Sequence, residues 1–190
     1  MREFVYYSSK ARTSGNFGED LMKAGRMDIV CNVIISVFFL SHKMREDVHL
    51  HLIFEGPPNT PRHLEITSKC ENISKKDVAG LIKRMLYKCK EGKRTEVFPG
   101  CFIEQKSFSH LLKELEEQER NILILDKKGE DIRKLEDEEI KNSVFVIGDH
   151  EGLPKKELKR YKERISIGKE TYFASQTIVI INNELDRRRE

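Results

Sequence analysis

Two glycine-bearing loops late in the chain hold the residue types best suited to chemistry. The first is Gly148-Asp149-His150-Glu151-Gly152, which follows the apolar run 144–147 and leads into Leu153-Pro154. Gly148 lets a ligand approach the main chain with no side chain in the way, and Pro154 suits the first turn of a helix. Asp149, His150 and Glu151 carry metal-binding and acid–base groups. Three consecutive residues seldom converge on one ion, so no metal is expected, and a polar turn ahead of a helix accounts for the same loop. The second loop, Gly168-Lys169-Glu170-Thr171-Tyr172-Phe173, follows Arg164-Ile165-Ser166-Ile167 and precedes the apolar stretch 177–185. Its aromatics either clasp a flat heterocycle or pack in the core. No GxGxxG or GxxxxGK[ST] pattern is present, which disfavours ordinary Rossmann or P-loop nucleotide binding.

Such loops need a scaffold. The runs 121–125, 144–147 and 164–167 are short and almost continuously apolar, as suits central parallel strands buried on both faces, with helical stretches between them. Ligands of open α/β sheets sit beyond the carboxyl ends of the strands. That rule places a candidate site around Leu125, Gly148 and Gly168. In the first half, residues 2–8 (REFVYYS) read as a strand and 12–25 as a loop. From Arg26 the pattern is helical, with Ile29, Val33 and Val37 on one stripe and Val30, Ile34, Ile35 and Phe38 on others, so this helix is expected to be buried nearly all round. Val48, Leu50, Leu52 and Phe54 alternate with His49, His51 and Ile53, the period of a strand, and 62–67 returns as its hairpin partner after the turn 56–59. Ser74 is expected to open a helix whose stripe runs Val78, Leu81, Ile82, Met85, Leu86 and Cys89. Ser107 caps another over 108–118.

The 190 residues fit one domain. Lys plus Arg is 35 and Asp plus Glu is 32, a net charge of +3, which excludes a histone-like polycation and an acidic disordered tail. The charge is uneven. Residues 1–100 hold 17 basic and 12 acidic side chains, and the rest hold 18 and 20. A polyanion would therefore meet the first half more readily. The apolar stretch 29–40 is too short for a bilayer, which needs about 20 residues, and no apolar region after the first charges marks a signal peptide. A cytoplasmic protein is expected. Cys31, Cys70, Cys89 and Cys101 form no CxxC pair and lie at no zinc spacing to a His; Cys31 and Cys89 read as core residues, and a disulfide framework is not expected.

Together, Gly148-Asp149-His150-Glu151-Gly152 after a buried strand, Ile165-Ser166-Ile167-Gly168, and the final Asn183-Glu184-Leu185-Asp186 resemble the SPOUT methyltransferases. Gly25-Arg26-Met27-Asp28 opening an apolar helix, Phe38-Phe39-Leu40-Ser41-His42 and Arg45-Glu46-Asp47-Val48 narrow the resemblance to the archaeal-type tRNA pseudouridine-54 N1-methyltransferase family, over residues 4–186. The resemblance implies an α/β fold with a mostly parallel sheet, helices on both faces and a C-terminal deep trefoil knot. It also implies a homodimer that binds S-adenosylmethionine and acts on tRNA. Residues of about 1–105 would contact RNA and about 106–190 would form the knotted cofactor half. By position, the cofactor would contact Leu125, Gly148, Ile167, Gly168, Lys169, Glu170, Thr171, Tyr172 and Thr177. Thr177 stands where the family usually has Cys, and 6–25 departs from the usual Lys-rich form. Asp28 would orient the pseudouridine N1–H or, with a pKa raised by burial at a dimer contact, accept its proton. A first-turn carboxylate that favours the helix dipole is the alternative. Arg26 would hold a phosphate or form an ordinary ion pair. Ribosomal-RNA pseudouridine N1-methylation and a catalytically idle RNA-binding module of the same fold are the rival functions.

Overall fold

A computed structural model describes residues 1–188. Strand β1 (Arg2–Ser8) is buried along its whole length, as its aromatic and β-branched residues require. It lies parallel between β2 (Val48–Phe54) and β7 (Ser143–Gly148), with Phe4 opposite both Leu50 and Phe145. Beside β7 runs β6 (Asn121–Asp131), and beside that β8 (Arg164–Ser166), both parallel. Outside β2 the sheet turns antiparallel through β3 (Arg62–Thr67), β5 (Cys101–Glu104) and β4 (Thr95–Phe98). The expected α/β architecture is thus one sheet in the order β4-β5-β3-β2-β1-β7-β6-β8.

Successive side chains of β1 point to opposite faces and seed two cores. Phe4 and Tyr6 join α1 (Met27–Phe38), α2 (Val78–Tyr87) and α5 (Ala174–Arg187) on one face. Val5 and Tyr7 join α3 (Phe108–Glu117) on the other. Helix α1 is buried on most sides, as expected, because it lies between the sheet and α5. Ser107 caps α3 by accepting the main-chain N–H of His110.

Several expectations need correction. Ser74 does not open α2. It forms a turn with Asp77, and the helix begins at Val78, where the apolar stripe itself begins. Cys89 lies past the end of that helix and is half-buried. Strand β6 does not stop at Asp126. After an irregularity between Leu125 and Glu130, its second part pairs with β8 again. The crossovers flanking β7 are not full helices: 126–143 holds a 3-10 turn (Ile132–Lys134) and a single α-helical turn, α4 (Asp137–Ile140), and 149–163 a short 3-10 turn (Glu157–Arg160). A disulfide joins Cys70 to Cys101, with Cα atoms 6.0 Å apart. Spacing in sequence could not reveal it. Pairing of Ile66 with Cys101 brings β5 beside the turn that follows β3, and both sulfur-bearing residues are buried there.

The foot of β1 is fixed by charge. Arg2 is buried and donates through Nη1 to Asn182 Oδ1 (3.0 Å), and through Nη2 to Asp186. Arg45 donates to both oxygens of Asp186, at 2.8 and 2.7 Å. These bonds from Arg45 and then Arg2 hold the Asp186 carboxyl well below the usual carboxylate range. Asp186→Asn should destabilise the fold by about 1–2 kcal/mol in urea unfolding, because buried Arg45 loses this carboxylate and Arg2 is left with Asp47, while the exposure of Asp186 screens part of the loss. A carboxyl depressed in the folded state stabilises above its unfolded pKa of about 4 and loses that contribution as pH falls. The gap between variant and wild type should therefore be full at neutral pH and close under strongly acid conditions.

Candidate functional site

The carboxyl ends of β6, β7 and β8 open into a cavity of about 700 Å³, within the range of roughly 300–1,000 Å³ usual for cofactor and small-molecule sites. The structure brings Leu125, Gly148, Ile167, Gly168, Glu170, Thr171, Tyr172 and Thr177 to its wall. Lys169, grouped with them by sequence, is exposed and is not on that wall. Ile124, Leu153 and Ile165 add apolar wall, and Ile29 of α1 and Gln176 of α5 also reach it, two residues that sequence reasoning had not named for the site. Tyr172 and Phe173 are 43% and 68% exposed on the cavity rim, so neither is a core residue.

Glycine is required where the loops meet. A Cβ on Gly148 would come within 2.7 Å of the Gly152 carbonyl carbon and 2.9 Å of the Leu153 nitrogen, so a side chain would force the loop open. Gly168 adopts φ +148°, and a Cβ there would meet no protein atom within 4 Å; it would project into open space. Ser166 Oγ pins that turn by accepting the Gly168 N–H at 3.1 Å. The Asp149 carboxylate is occupied as well. It accepts from Ser8 Oγ and the Ser9 N–H, each at 3.0 Å, and from the Glu151 N–H at 2.9 Å. It therefore ties the 148–152 loop to the end of β1. Glu151 pairs with Lys10, and Ser9 Oγ lies 3.4 Å from an oxygen of each of the two carboxylates.

Arg26 and Asp28 stand at the start of α1 and do not line the cavity, although Ile29 beside them does. The chain enters α1 through two left-handed residues, Gly25 (φ +70°) and Arg26 (φ +62°). At position 25 a Cβ would lie 1.7 Å from the Lys10 carbonyl oxygen, which demands glycine. At Arg26 the left-handed backbone costs roughly 1–2 kcal/mol and is the kind of strain that gathers at functional sites. That conformation aims the guanidinium at Asp28: Nε donates to Oδ1 at 3.0 Å and Nη2 to Oδ2 at 2.9 Å. These bonds lower the Asp28 pKa, outweighing the opposite effect of partial burial. Within the chain, then, the Arg26 fork sets the direction of the shift, opposite to the rise that burial at a dimer contact would give. Tyr6, missed by sequence reasoning, buries a phenol without a hydrogen-bond partner near these carboxylates; burial first, then Asp149 and Asp28, raise its pKa.

Glycine-bearing loops at the carboxyl edge of a parallel sheet, enclosing an apolar slot, define an α/β ligand-binding site. Comparison narrows the class. The chain belongs to the family described as "Putative SAM-dependent RNA methyltransferase", whose model matches residues 1–190. It is 38% identical to the tRNA (pseudouridine(54)-N(1))-methyltransferase of Methanococcoides burtonii, over 98% of this chain and 96% of that one. It is 33% identical to the protein of the same name from Methanocaldococcus jannaschii, over 100% of this chain and 98% of the relative. Its fold matches that of Archaeoglobus fulgidus Nep1 bound to S-adenosylhomocysteine, with a TM-score of 0.68 at 13% identity, covering 99% of this chain and 98% of that one.

Replacing Arg26 by Gln should raise the Asp28 titration midpoint toward the ordinary value of about 3.9. Carbon-13 NMR of the Asp28 carboxyl against pH reads this directly, and an unchanged midpoint would mean that the fork does not govern the charge.

Proposed function

We propose that this protein transfers a methyl group from S-adenosylmethionine to N1 of pseudouridine at position 54 of tRNA. The observation that carries this reading is near-full-length identity of 38%, 36% and 33% to relatives that bear that name, on a chain with a cofactor-sized cavity at its sheet edge. The cavity suits the cofactor. Its side-chain-free glycine turns leave main-chain amides for an adenine edge, and Ile124, Leu153 and Ile165 offer an apolar slot. We assign the contacts to Leu125, Gly148, Ile167, Gly168, Glu170, Thr171, Tyr172 and Thr177, with Lys169 outside them.

When bound, the cofactor supplies an electrophilic methyl on a sulfonium. The chain must hold the base in line with it, and positioning of this kind supplies on the order of 7–11 kcal/mol in favourable cases. Pseudouridine carries an N1–H that uridine lacks. Asp28, kept ionised by Arg26, accepts a hydrogen bond from that N1–H and sets the nitrogen's direction. As N1 takes the methyl it loses its proton, which passes by way of Asp28 to solvent; the lowered pKa suits Asp28 to orient and relay that proton rather than to keep it. Arg26 acts through Asp28 rather than on a phosphate. Reaching a paired or stacked base requires the nucleotide to be flipped out.

Three finer features belong to the same reading. Asp126 and Lys127 of β6 line one cavity with the loops 148–153 and 167–173, and α5 then packs back on α1; this supports a C-terminal trefoil knot. Exposed Phe173 and Val179 on or beside α5 support a homodimer. The positive balance of residues 1–100 supports RNA contact by the first half and cofactor binding by the second, in the cytoplasm. No helix among the described residues is long and apolar enough to cross a membrane.

Labelled S-adenosylmethionine with tRNA transcripts that carry pseudouridine or uridine at position 54 provides the test. Label should enter only the pseudouridine RNA, and Asp28→Asn should lower the rate by about 10²–10⁴-fold with cofactor affinity unchanged by calorimetry. Absence of cofactor binding at millimolar concentration would overturn the reading. Equal labelling of the uridine transcript would overturn the assignment to N1.

A further inference from the structure

On the face of the sheet shared with α3, the apolar cluster ends at Ile53. Beyond it lie His49 and His51 of β2, His63 and Glu65 of β3, Glu3 of β1 and Glu104 of β5. Register alone brings them together: Glu3 sits opposite His49, His51 opposite Glu65, and His63 opposite Glu104. Glu3, His51 and His63 are buried to 4%, 4% and 2% exposure.

All six ring nitrogens of the three histidines are in contact with partners. His49 Nδ1 meets Glu3 Oε1 at 3.2 Å, and His49 Nε2 meets Glu65 Oε1 at 2.9 Å. His51 Nε2 meets the same Glu3 oxygen at 3.0 Å. His51 Nδ1 meets His63 Nε2 at 2.9 Å, and His63 Nδ1 meets Glu104 Oε1 at 3.0 Å. Each of these five contacts needs one N–H between its two atoms. Three neutral imidazoles carry only three. With all three rings neutral, two contacts are left with lone pair facing lone pair, and either two added protons, the first on His49 between the Glu3 and Glu65 carboxylates, or one divalent ion fills them.

We propose that a divalent transition ion of the zinc class binds between Glu3 Oε1, His49 Nδ1 and His51 Nε2. One such ion takes the place of both added protons and fills both unsatisfied contacts at once. The three N–H groups then suffice: His49 Nε2–H donates to Glu65, His51 Nδ1–H to His63 Nε2, and His63 Nδ1–H to Glu104. Each ligating ring is thus oriented by a hydrogen bond from its other nitrogen, as metal-bound histidines are. Arg120 pairs with the second oxygen of Glu3 and leaves Oε1 facing the rings.

The three ligand atoms lie within 4.8 Å of one another. Their separations from Glu3 Oε1, 3.0 and 3.2 Å, are close to the roughly 3.3 Å edge that bonds of about 2.0–2.1 Å give a tetrahedron. Nitrogen and carboxylate donors in this number select zinc-like ions over magnesium or calcium. The neighbouring trio His51, His63 and Glu65 is also close enough to hold an ion. An ion there leaves His49 between two carboxylates with one N–H for two contacts, so the count selects the first trio. The sequence reading, which weighed only the 149–151 loop and the cysteines, expected no metal; Glu3 meets His49 and His51 only through the pairing of β1 with β2. The ion would brace β1 against β2 far from the cavity, which lies at the opposite ends of these strands.

Zinc titration of the full, untagged chain after chelator treatment provides the test. We expect one zinc per chain by calorimetry and elemental analysis, and a cobalt-substituted protein with the visible bands of a tetrahedral nitrogen–oxygen site and no thiolate charge transfer. His49→Gln should weaken zinc affinity at least about 100-fold, and Glu65→Gln about 10-fold, since among the ligands it touches the hydrogen bond behind His49. Zinc affinity equal in wild type and His49→Gln, or no zinc bound by wild type, would overturn the proposal. If His49→Gln does not fold, nitrogen-15 NMR of the wild-type rings decides: three neutral imidazoles with zinc support the ion, and imidazolium signals unchanged by zinc show that two extra protons occupy the cluster instead.

Discussion

Everything in this molecule is assembled on β1. A central strand buried on both faces has no water for its main-chain groups, so it must find a strand on each side. It finds β2 from the first half and β7 from the second, over nearly its whole length. Its side chains impose the same demand, because alternate residues seed the two hydrophobic clusters. Neither half can complete its sheet or its core without this strand. The charged foot, Arg2 with Asp186 and Arg45, then ties the first strand to the last helix.

The site inherits its geometry from that arrangement. Parallel strands end together, so the loops after β6, β7 and β8 emerge side by side and enclose the cavity. The end of β1 contributes through Asp149, whose bonds to Ser8 and Ser9 bring the 148–152 loop to a fixed height above the sheet. Helix α1 brings Ile29 to the wall and Arg26 and Asp28 close by. The left-handed entry at Gly25 and Arg26 is held by packing against the Lys10 carbonyl. Strain is thus confined to the point where a charged pair must face a particular way.

The antiparallel extension β3-β5-β4 follows a different economy. One face of it packs on α2, while the other exchanges apolar side chains for a hydrogen-bonded chain of histidines and carboxylates. Buried polar groups of this kind stabilise only when every partner is supplied. Arg94 and Arg120 answer the outer oxygens of Glu65 and Glu3, and Lys106 shares Glu104 Oε1 with His63. The Cys70–Cys101 bridge fastens the end of the same extension, where β5 meets the turn after β3.

Local pattern made much of this legible in the sequence. The continuous apolar runs marked β6, β7 and β8, and the all-round apolar character of α1 marked its burial, because period and composition report directly on which faces meet water. The glycine loops at 148 and 168 marked the site, because only glycine tolerates what those turns require. Other features depended on which strands became neighbours. The charge state of Asp28 followed from a left-handed Arg26, the disulfide from the pairing of β3 with β5, and the histidine–carboxylate chain from the register of four strands. The displacement of Lys169 and the early end of the α2 pattern at Tyr87 were likewise decided by how neighbouring segments packed. Sequence alone determined the elements and the edge of the sheet where chemistry happens; tertiary structure decided the partners, because a charge or a thiol acquires its properties from atoms that are distant in the chain and adjacent only in the fold.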